Sequence, residues 1–307
     1  MSVRRVQVVE VGPRDGLQNE SVIVPTSDKV AYLEALVEAG LTRIEAVSFV
    51  HPDRVPQMAD AEAVMARAPR RAGVRYAGLV LNRRGLQRAL DAGVDEVNVV
   101  VVASETFSRR NQGATIEEAL RVAEDVVAGA AAAGLSTTVT IGAAFGCPFE
   151  GEVPVERVVD IARRVAATGV DEIALADTIG VAVPDDVTRR LGAVREVTDA
   201  PLRCHFHNTR NTGYANAVAA LQAGVAALDA SSGGIGGCPF APRATGNIAT
   251  EDLLYLLSRS GVETGLTLDR VLAPSALVGR LLGRQPPALL PLAGGFPPGD
   301  GTTTGSG

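Results

Sequence analysis

Short apolar runs alternate with longer amphipathic stretches along this chain, and the alternation repeats eight times. Short runs rich in Val, Ile and Ala are typical of strands that are buried on both faces, as in a parallel sheet. These runs occupy residues 6–12, 43–49, 75–81, 96–102, 136–145, 172–178, 202–208 and 226–232. Helical periodicity follows in the intervals, among them residues 27–40, 116–134, 155–169 and 215–224.

The first helical stretch carries signals for both of its ends. Ser27 or Asp28 is expected to cap the N-terminus, because a short side-chain oxygen can accept a hydrogen bond from the first free backbone N–H groups. Gly40 is expected to end the helix, since glycine adopts the left-handed conformation of a C-terminal cap without strain.

Eight successive strand–helix units over roughly 250 residues predict an α/β fold of the (β/α)8 TIM-barrel type. An open doubly wound sheet is the alternative, but its phosphate-binding GxGxxG motif is absent. The string GGIGGC (233–238) has the wrong spacing and follows the eighth strand rather than the first. We therefore expect a catalytic barrel over residues 1–265, a C-terminal helical extension over 266–290 and a disordered tail over 291–307.

Composition narrows the classes of function. The net charge of −6, with no basic run, argues against a nucleic-acid or anionic-membrane surface. No apolar run reaches the roughly 18 residues of a membrane span, and the N-terminal segment enters a strand-like pattern too early for a leader peptide. The three cysteines lack CxxC spacing, which suits a reducing compartment. We expect a cytoplasmic protein.

Unusual polar residues occur where the predicted strands run into the following loops, which is the catalytic face of a TIM barrel. His205 and His207, two of only three histidines, lie two positions apart on the seventh strand and therefore point to the same side. Two imidazoles at a barrel mouth predict a divalent-metal site, although a pair of hydrogen-bonded core histidines is the alternative. Asp15 in the first loop and Asn247 could complete the site, or Asp15 could be a turn or capping residue. Nitrogen and oxygen ligands without a thiolate favour Mg²⁺, Mn²⁺ or Co²⁺.

Two further residues carry candidate chemistry. Arg14 is a permanently charged donor on the same loop as Asp15 and could stabilise an oxyanion, or it could form an ordinary salt bridge with Glu45 or Asp177. Cys238 lies in a glycine-rich loop that could close over a substrate and deliver the thiol for proton transfer. A buried structural cysteine is the alternative reading, and it is the one we expect for Cys147 and Cys204.

The sequence resembles the 3-hydroxy-3-methylglutaryl-CoA lyase family, a group of metal-dependent TIM-barrel enzymes, over roughly residues 5 to 283. The resemblance rests on VEVGPRDGLQNE, IEAVSFV, VPQM, LADTIGV, the two-histidine strand, GGIGGCPFAPRATGN and NIATEDLLYLL. It implies retro-Claisen cleavage of an acyl-CoA substrate and a homodimer. Its implied site residues are the metal ligands Asp15, His205, His207 and Asn247, the oxyanion donor Arg14, the loop thiol Cys238 beside Gly236 and Gly237, the supporting carboxylates Glu45 and Asp177, and the pocket residues Gln18 and Ser48. Either Asp15 or His205 would act as the base.

The chain departs from the family pattern after the second histidine. Lyases usually read Asp-Thr-Tyr-Gly or Asp-Thr-Arg-Gly there, whereas this chain has Asn208 and Asn211 at the first and fourth positions. A lyase acting on a different branched 3-hydroxyacyl-CoA is therefore an alternative. A Claisen-type synthase and a non-catalytic CoA-binding protein are further alternatives, which the cysteine loop and the full set of site positions disfavour.

Overall fold

The computed structural model describes residues 4–237 and 246–297. Eight parallel strands close into a barrel in chain order, so the predicted TIM-barrel fold is confirmed. The strands are β1 (Gln7–Glu10), β2 (Arg43–Ser48), β3 (Arg75–Val80), β4 (Glu96–Val102), β5 (Ser136–Gly142), β6 (Glu172–Asp177), β7 (Leu202–Phe206) and β8 (Ala227–Ala230). A separate two-residue strand, Arg4–Arg5, pairs in parallel with Val262–Glu263.

Helices connect the strands and cover the outside of the barrel. They are α1 (Thr26–Ala39), α2 (Ala61–Arg67), α3 (Arg83–Asp91), α4 (Glu105–Gln112), α5 (Ile116–Ala132), α6 (Val155–Ala166), α7 (Pro184–Arg195), α8 (Gly213–Gln222), α9 (Thr250–Arg259), α10 (Leu268–Leu282) and α11 (Leu290–Ala293). In the described ranges, no helix is both long and apolar enough to cross a membrane.

The ends of α1 test the two capping predictions separately. The helix begins at Thr26, and its N-terminal cap is Pro25, which makes no side-chain capping bond. The prediction of Ser27 or Asp28 as the cap is wrong, because the helix starts early enough to place both residues in its first turn. Gly40 does end the helix, with a φ of 100°, as predicted.

Seven of the eight strands end one to three residues earlier than their apolar patterns predicted, and the backbone explains two of these ends. β1 stops at Glu10, because Pro13 lacks a backbone N–H for a ladder bond and residues Gly12–Gly16 wind into a single π-helical turn. β5 stops at Gly142, because Ala143 has a φ of 52° and so leaves the extended conformation. The π-helical turn after β1 places Arg14 and Asp15 at the barrel mouth.

The C-terminal segments pack onto the barrel near the loop that follows β8. Helix α10 contacts α1, α9 and the turn Ser232–Gly234. The backbone N–H of Ala288 donates to the carbonyl of Gly233 over 3.1 Å, which ties the segment after α10 to that same loop. Residues 298–307 of the predicted tail lie outside the described residues.

The lower half of the barrel interior is filled largely by charged residues rather than aliphatic ones. Arg43 makes four hydrogen bonds to Glu96 and Glu172, at donor–acceptor distances of 2.6 to 2.9 Å. All three side chains are buried. Two bidentate pairs of this kind are strong enough to offset much of the cost of burying the charges, and they join β2, β4 and β6.

We expect Arg43→Met to lower the free energy of unfolding by about 3 kcal/mol, because it removes every hydrogen bond from a guanidinium to two buried carboxylates. Urea unfolding followed by circular dichroism measures this change. Arg83→Met is the matched control: it removes an exposed pair with Asp125 and is expected to cost less than about 1 kcal/mol. Equal losses in the two variants would show that the interior network adds nothing to stability.

Candidate metal centre and active site

Three predicted ligands converge at the carboxyl ends of β1 and β7. Asp15, His205 and His207 each offer a ligand atom, and these atoms all lie within 4.8 Å of one another. The two imidazole rings lie side by side with centroids 5.0 Å apart, as strand alternation predicted. Cys204 and Phe206, on the opposite face of β7, belong to the hydrophobic core between the strands and the helices. The three side chains can therefore ligate a single metal ion.

Asn247 joins this cluster from the loop that follows β8. Its backbone forms an isolated antiparallel bridge with His207, which places its side chain at the barrel mouth. The Nδ2 group donates to Asp15 Oδ2 over 2.9 Å and to the carbonyl of Ile235 over 3.0 Å. The fourth predicted ligand thus touches the first, although 232 positions separate them in the chain.

The protonation of Asp15 and His207 suits a divalent cation. Burial opposes a charge on His205, but Asp229 and Asp15 outweigh burial and raise the pKa of His205, so a metal would have to displace a proton from that ring. Burial alone would raise the pKa of Asp15, but the cation of Arg14, with smaller contributions from the two imidazoles, outweighs it and lowers the pKa, so the carboxylate stays ionised. Burial and the neighbouring His205 lower the pKa of His207 to about 3, so this ring is neutral at physiological pH. Its Nδ1 atom is buried and has no hydrogen-bond partner among the described residues. An anionic oxygen with neutral imidazole nitrogen matches the divalent metal that the family resemblance implies.

Arg14 is held between two carboxylates. Its guanidinium donates to Glu45 and, over 2.7 Å, to Asp15 Oδ1. Burial opposes the charge on Arg14, but Glu45 and Asp15 outweigh it and raise the pKa of Arg14, so the group remains a cation. Glu45 is fully buried and also accepts from Asn98 Nδ2 over 2.8 Å. Of the two carboxylates predicted as partners of Arg14, Glu45 is the one in contact.

The other predicted supporting residues lie around this centre in different roles. Asp177 does not bond Arg14; its two oxygens accept from the backbone N–H groups of Val181 and Ala182 over 2.9 and 3.0 Å, which shapes the loop after β6. Ser48 Oγ and Gln18 Oε1 are buried and lack hydrogen-bond partners among the residues that the structure describes. These two polar atoms remain available to a bound molecule.

Two carboxylates in the site region were not predicted from the sequence. The Oδ2 atom of Asp229, on β8, lies 3.1 Å from His205 Nδ1, behind the cluster of candidate ligands. Glu10 on β1 accepts hydrogen bonds from the backbone of Gly12, the backbone and hydroxyl of Ser232 and the hydroxyl of Thr250. Glu10 thereby joins the first loop to the loop after β8. The only available signal was a single acidic residue inside each apolar run.

The described part of the glycine-rich loop packs directly on the cluster. Gly236 has a φ of 106°, and an added Cβ atom would lie 2.5 Å from Asn247 Nδ2 and 3.1 Å from Gly16 Cα. A Cβ atom on Gly237 would meet nothing within 4 Å among the described residues. Cys238 itself lies outside the described residues, so its role as the loop thiol stays a prediction.

We expect Gly236→Ala to weaken Mn²⁺ binding and turnover, because the new methyl group is strained at this φ and displaces Asn247. Mn²⁺ titration monitored by electron paramagnetic resonance measures the affinity. Gly237→Ala is the matched control on the same loop and is expected to lose much less. Equal affinities of Gly236→Ala and the unmodified protein would mean that the loop does not position Asn247.

Comparisons with known proteins agree with the resemblance seen in the motifs. A family model described as HMGL-like matches residues 5–278. The chain is 41% identical over 286 residues to hydroxymethylglutaryl-CoA lyase YngG of Bacillus subtilis, covering 93% of this chain and 96% of that protein. It is 44% identical over 300 residues to (R)-citramalyl-CoA lyase of Chloroflexus aurantiacus, covering 94% and 95% respectively.

Solved structures extend the likeness to three dimensions. An HMG-CoA lyase from Acinetobacter baumannii, in complex with coenzyme A and 3-methylmalate, superposes with a TM-score of 0.91 at 37% identity. The match covers 97% of this chain and 99% of that one. Sequence and structure agree along nearly the whole barrel, and the chain therefore belongs to the HMGL-like family and is a lyase.

Proposed function

We propose that this chain cleaves 3-hydroxy-3-methylglutaryl-CoA into acetyl-CoA and acetoacetate. The observation that carries the proposal is the contact of Arg14 with Asp15, which places a fixed guanidinium beside a cluster of metal-ligating side chains. A retro-Claisen reaction needs both elements at one point, because it deprotonates an alcohol and creates an enolate. The names of the relatives from Bacillus subtilis and Acinetobacter baumannii support the same substrate.

The residues present fit a divalent ion, and we propose Mg²⁺ or Mn²⁺ held by Asp15, His205, His207 and Asn247. Bound there, such an ion supplies Lewis-acid activation of the substrate's tertiary hydroxyl. Asp15 or His205 takes the hydroxyl proton, since both belong to the cluster that would hold the ion and the hydroxyl. The bond between C2 and C3 then breaks, and its electron pair moves toward the thioester.

Arg14 has the position and the charge to stabilise the enolate of acetyl-CoA. Glu45 and Asp15 hold the guanidinium in one orientation, so little reorganisation is needed when negative charge develops on the thioester oxygen. Cys238, carried by the glycine-rich loop, is proposed to protonate the enolate carbon. This proposal is supported by the described start of the loop, where the carbonyl of Ile235 accepts a hydrogen bond from Asn247 Nδ2 over 3.0 Å.

We propose that the acyl-CoA lies across this mouth, as the relative in complex with coenzyme A suggests. A homodimer and a cytoplasmic location are further proposals. The homodimer rests on the resemblance to the family. The cytoplasmic location is supported by Cys147 and Cys204, which are buried and form no disulfide.

A second candidate substrate is (R)-citramalyl-CoA, whose acyl chain is one methylene group shorter. The relative from Chloroflexus aurantiacus favours it, with 44% identity over 300 residues. Asn208 and Asn211, which depart from the family pattern next to His207, favour an altered acyl pocket. The same bond-breaking chemistry applies to both substrates, so only the acyl group differs between the two proposals.

Acetyl-CoA release from the two thioesters, measured with and without EDTA, tests the function. We expect release from 3-hydroxy-3-methylglutaryl-CoA, its loss with EDTA and its return when Mn²⁺ is added in excess. A higher kcat/KM for (R)-citramalyl-CoA would select the second candidate. Release from neither substrate, with metal bound, would contradict the proposed function.

We expect Arg14→Gln to lower kcat by roughly 10²- to 10³-fold, because the amide keeps a hydrogen-bond donor but loses the charge that faces the enolate oxygen. Steady-state kinetics at saturating Mn²⁺ measure the effect. Arg14→Lys keeps the charge without the forked donor and should recover part of the loss. An unchanged kcat in Arg14→Gln would remove the oxyanion role from Arg14.

A further inference from the structure

We propose that Arg203, deep inside the barrel, is a positioning residue that orients the metal ligand His205 through Asp229. The proposal rests on the metal centre described under the proposed function. It assigns a role to a residue that touches neither the ligand cluster nor the mouth of the barrel.

Arg203 occupies the inward-facing position of β7 that precedes His205. Its side chain is completely buried. The Nε atom lies 3.3 Å from Asp229 Oδ1 and 3.4 Å from Glu172 Oε1, and Nη1 lies 4.0 Å from Glu96 Oε1. Its nearest carboxylate is therefore Asp229.

Asp229 connects this guanidinium to the metal centre. Its Oδ1 atom faces Arg203, and its Oδ2 atom lies 3.1 Å from His205 Nδ1. On the other side of the same ring, His205 Nε2 lies 3.9 Å from Asp15 Oδ2. A continuous series of polar contacts thus runs from Arg203 through Asp229 and His205 to Asp15. Each oxygen of Asp229 has one charged or imidazole neighbour, which leaves the carboxylate one orientation.

A purely structural role for Arg203 accounts poorly for its surroundings. Glu96 and Glu172 already receive four hydrogen bonds from Arg43. None of the guanidinium nitrogens of Arg203 has a hydrogen-bond partner among the described residues. A buried cation without directed hydrogen bonds is costly, so its electrostatic contact with Asp229 is the main feature that favours this position. Among the described residues, no other arginine or lysine lies within 4.0 Å of Asp229.

Loss of Arg203 is expected to loosen the carboxylate that holds His205. A carboxylate behind a ligating histidine fixes the orientation and tautomer of the ring, so its displacement weakens metal binding. Without the cation, Asp229 Oδ1 has no partner among the described residues, and the carboxylate can rotate away from His205 Nδ1. The effect reaches the metal site through one side chain and needs no change in the fold.

The test is Mn²⁺ titration of the metal-free full chain by electron paramagnetic resonance. We expect Arg203→Met to raise the Kd for Mn²⁺ by about tenfold, and Arg203→Lys to restore part of the affinity, since it keeps a cation near Asp229. Arg190→Met is the matched control: Arg190 is equally buried, but it bonds the carbonyls of Ala144 and Val153. It should cost stability and leave the Kd within about twofold of the unmodified protein.

The outcomes separate this inference from the proposed function. If the unmodified chain binds no Mn²⁺, the metal centre itself is wrong. If it binds Mn²⁺ and a folded Arg203→Met has the same Kd, only the role of Arg203 is wrong, and an equal loss in Arg190→Met overturns that role too. If Arg203→Met does not fold, Asp229→Asn decides, because it keeps an acceptor for His205 but loses the attraction to Arg203. A Kd within twofold of the unmodified protein in a folded Asp229→Asn contradicts the inference.

Discussion

The arrangement of the site depends on the contacts of the partly buried carboxylate of Asp15. Its two oxygens accept from Arg14 and Asn247, and the imidazole of His205 faces it. A carboxylate that is mostly removed from water is stable only where cations and donors surround it, so the loop after β1, the loop after β8 and the end of β7 meet at one point. Through Arg14, the same carboxylate is linked to Glu45 on β2. The need to surround the carboxylate of Asp15 with donors and cations therefore explains the geometry of the mouth.

Below the mouth, the charged side chains of the barrel interior also lie next to side chains of opposite charge. Many TIM barrels fill this space with branched aliphatic side chains. Here Val9, Val11 and Ala227 form only a small apolar group, and arginines with carboxylates occupy the layer beneath the histidines. In this low-dielectric space, each charge constrains the orientation of its neighbours. The polar layer thus links the barrel strands to one another and, through Asp229, contacts His205 in the candidate ligand cluster.

The sequence alone predicted which candidate ligands gather at the barrel mouth, but not the residues behind them. Strand alternation predicts that His205 and His207 point to the same side of β7. Closure of a parallel barrel brings Asp15, after the first strand, close to Asn247, after the last. The role of Asp229 depends on side-chain reach between neighbouring strands, which an apolar run does not encode. The choice of Glu45, inside β2, over Asp177, at the end of β6, as the partner of Arg14 likewise depends on where the π-helical turn places the guanidinium. Local backbone geometry, rather than composition, decided these contacts.

The departure from the family pattern after His207 changes charge more than backbone shape. Asn211 stands where relatives usually carry glycine, and its φ of 59° is a left-handed conformation that asparagine tolerates better than most residues. Asn208 replaces an aspartate but still accepts a hydrogen bond at Oδ1, from the backbone of Gly213 over 3.1 Å at the start of α8. The loop can therefore keep its fold while losing one negative charge beside His207. Any difference in acyl-group preference should then come from electrostatics at the mouth, rather than from a rearranged loop.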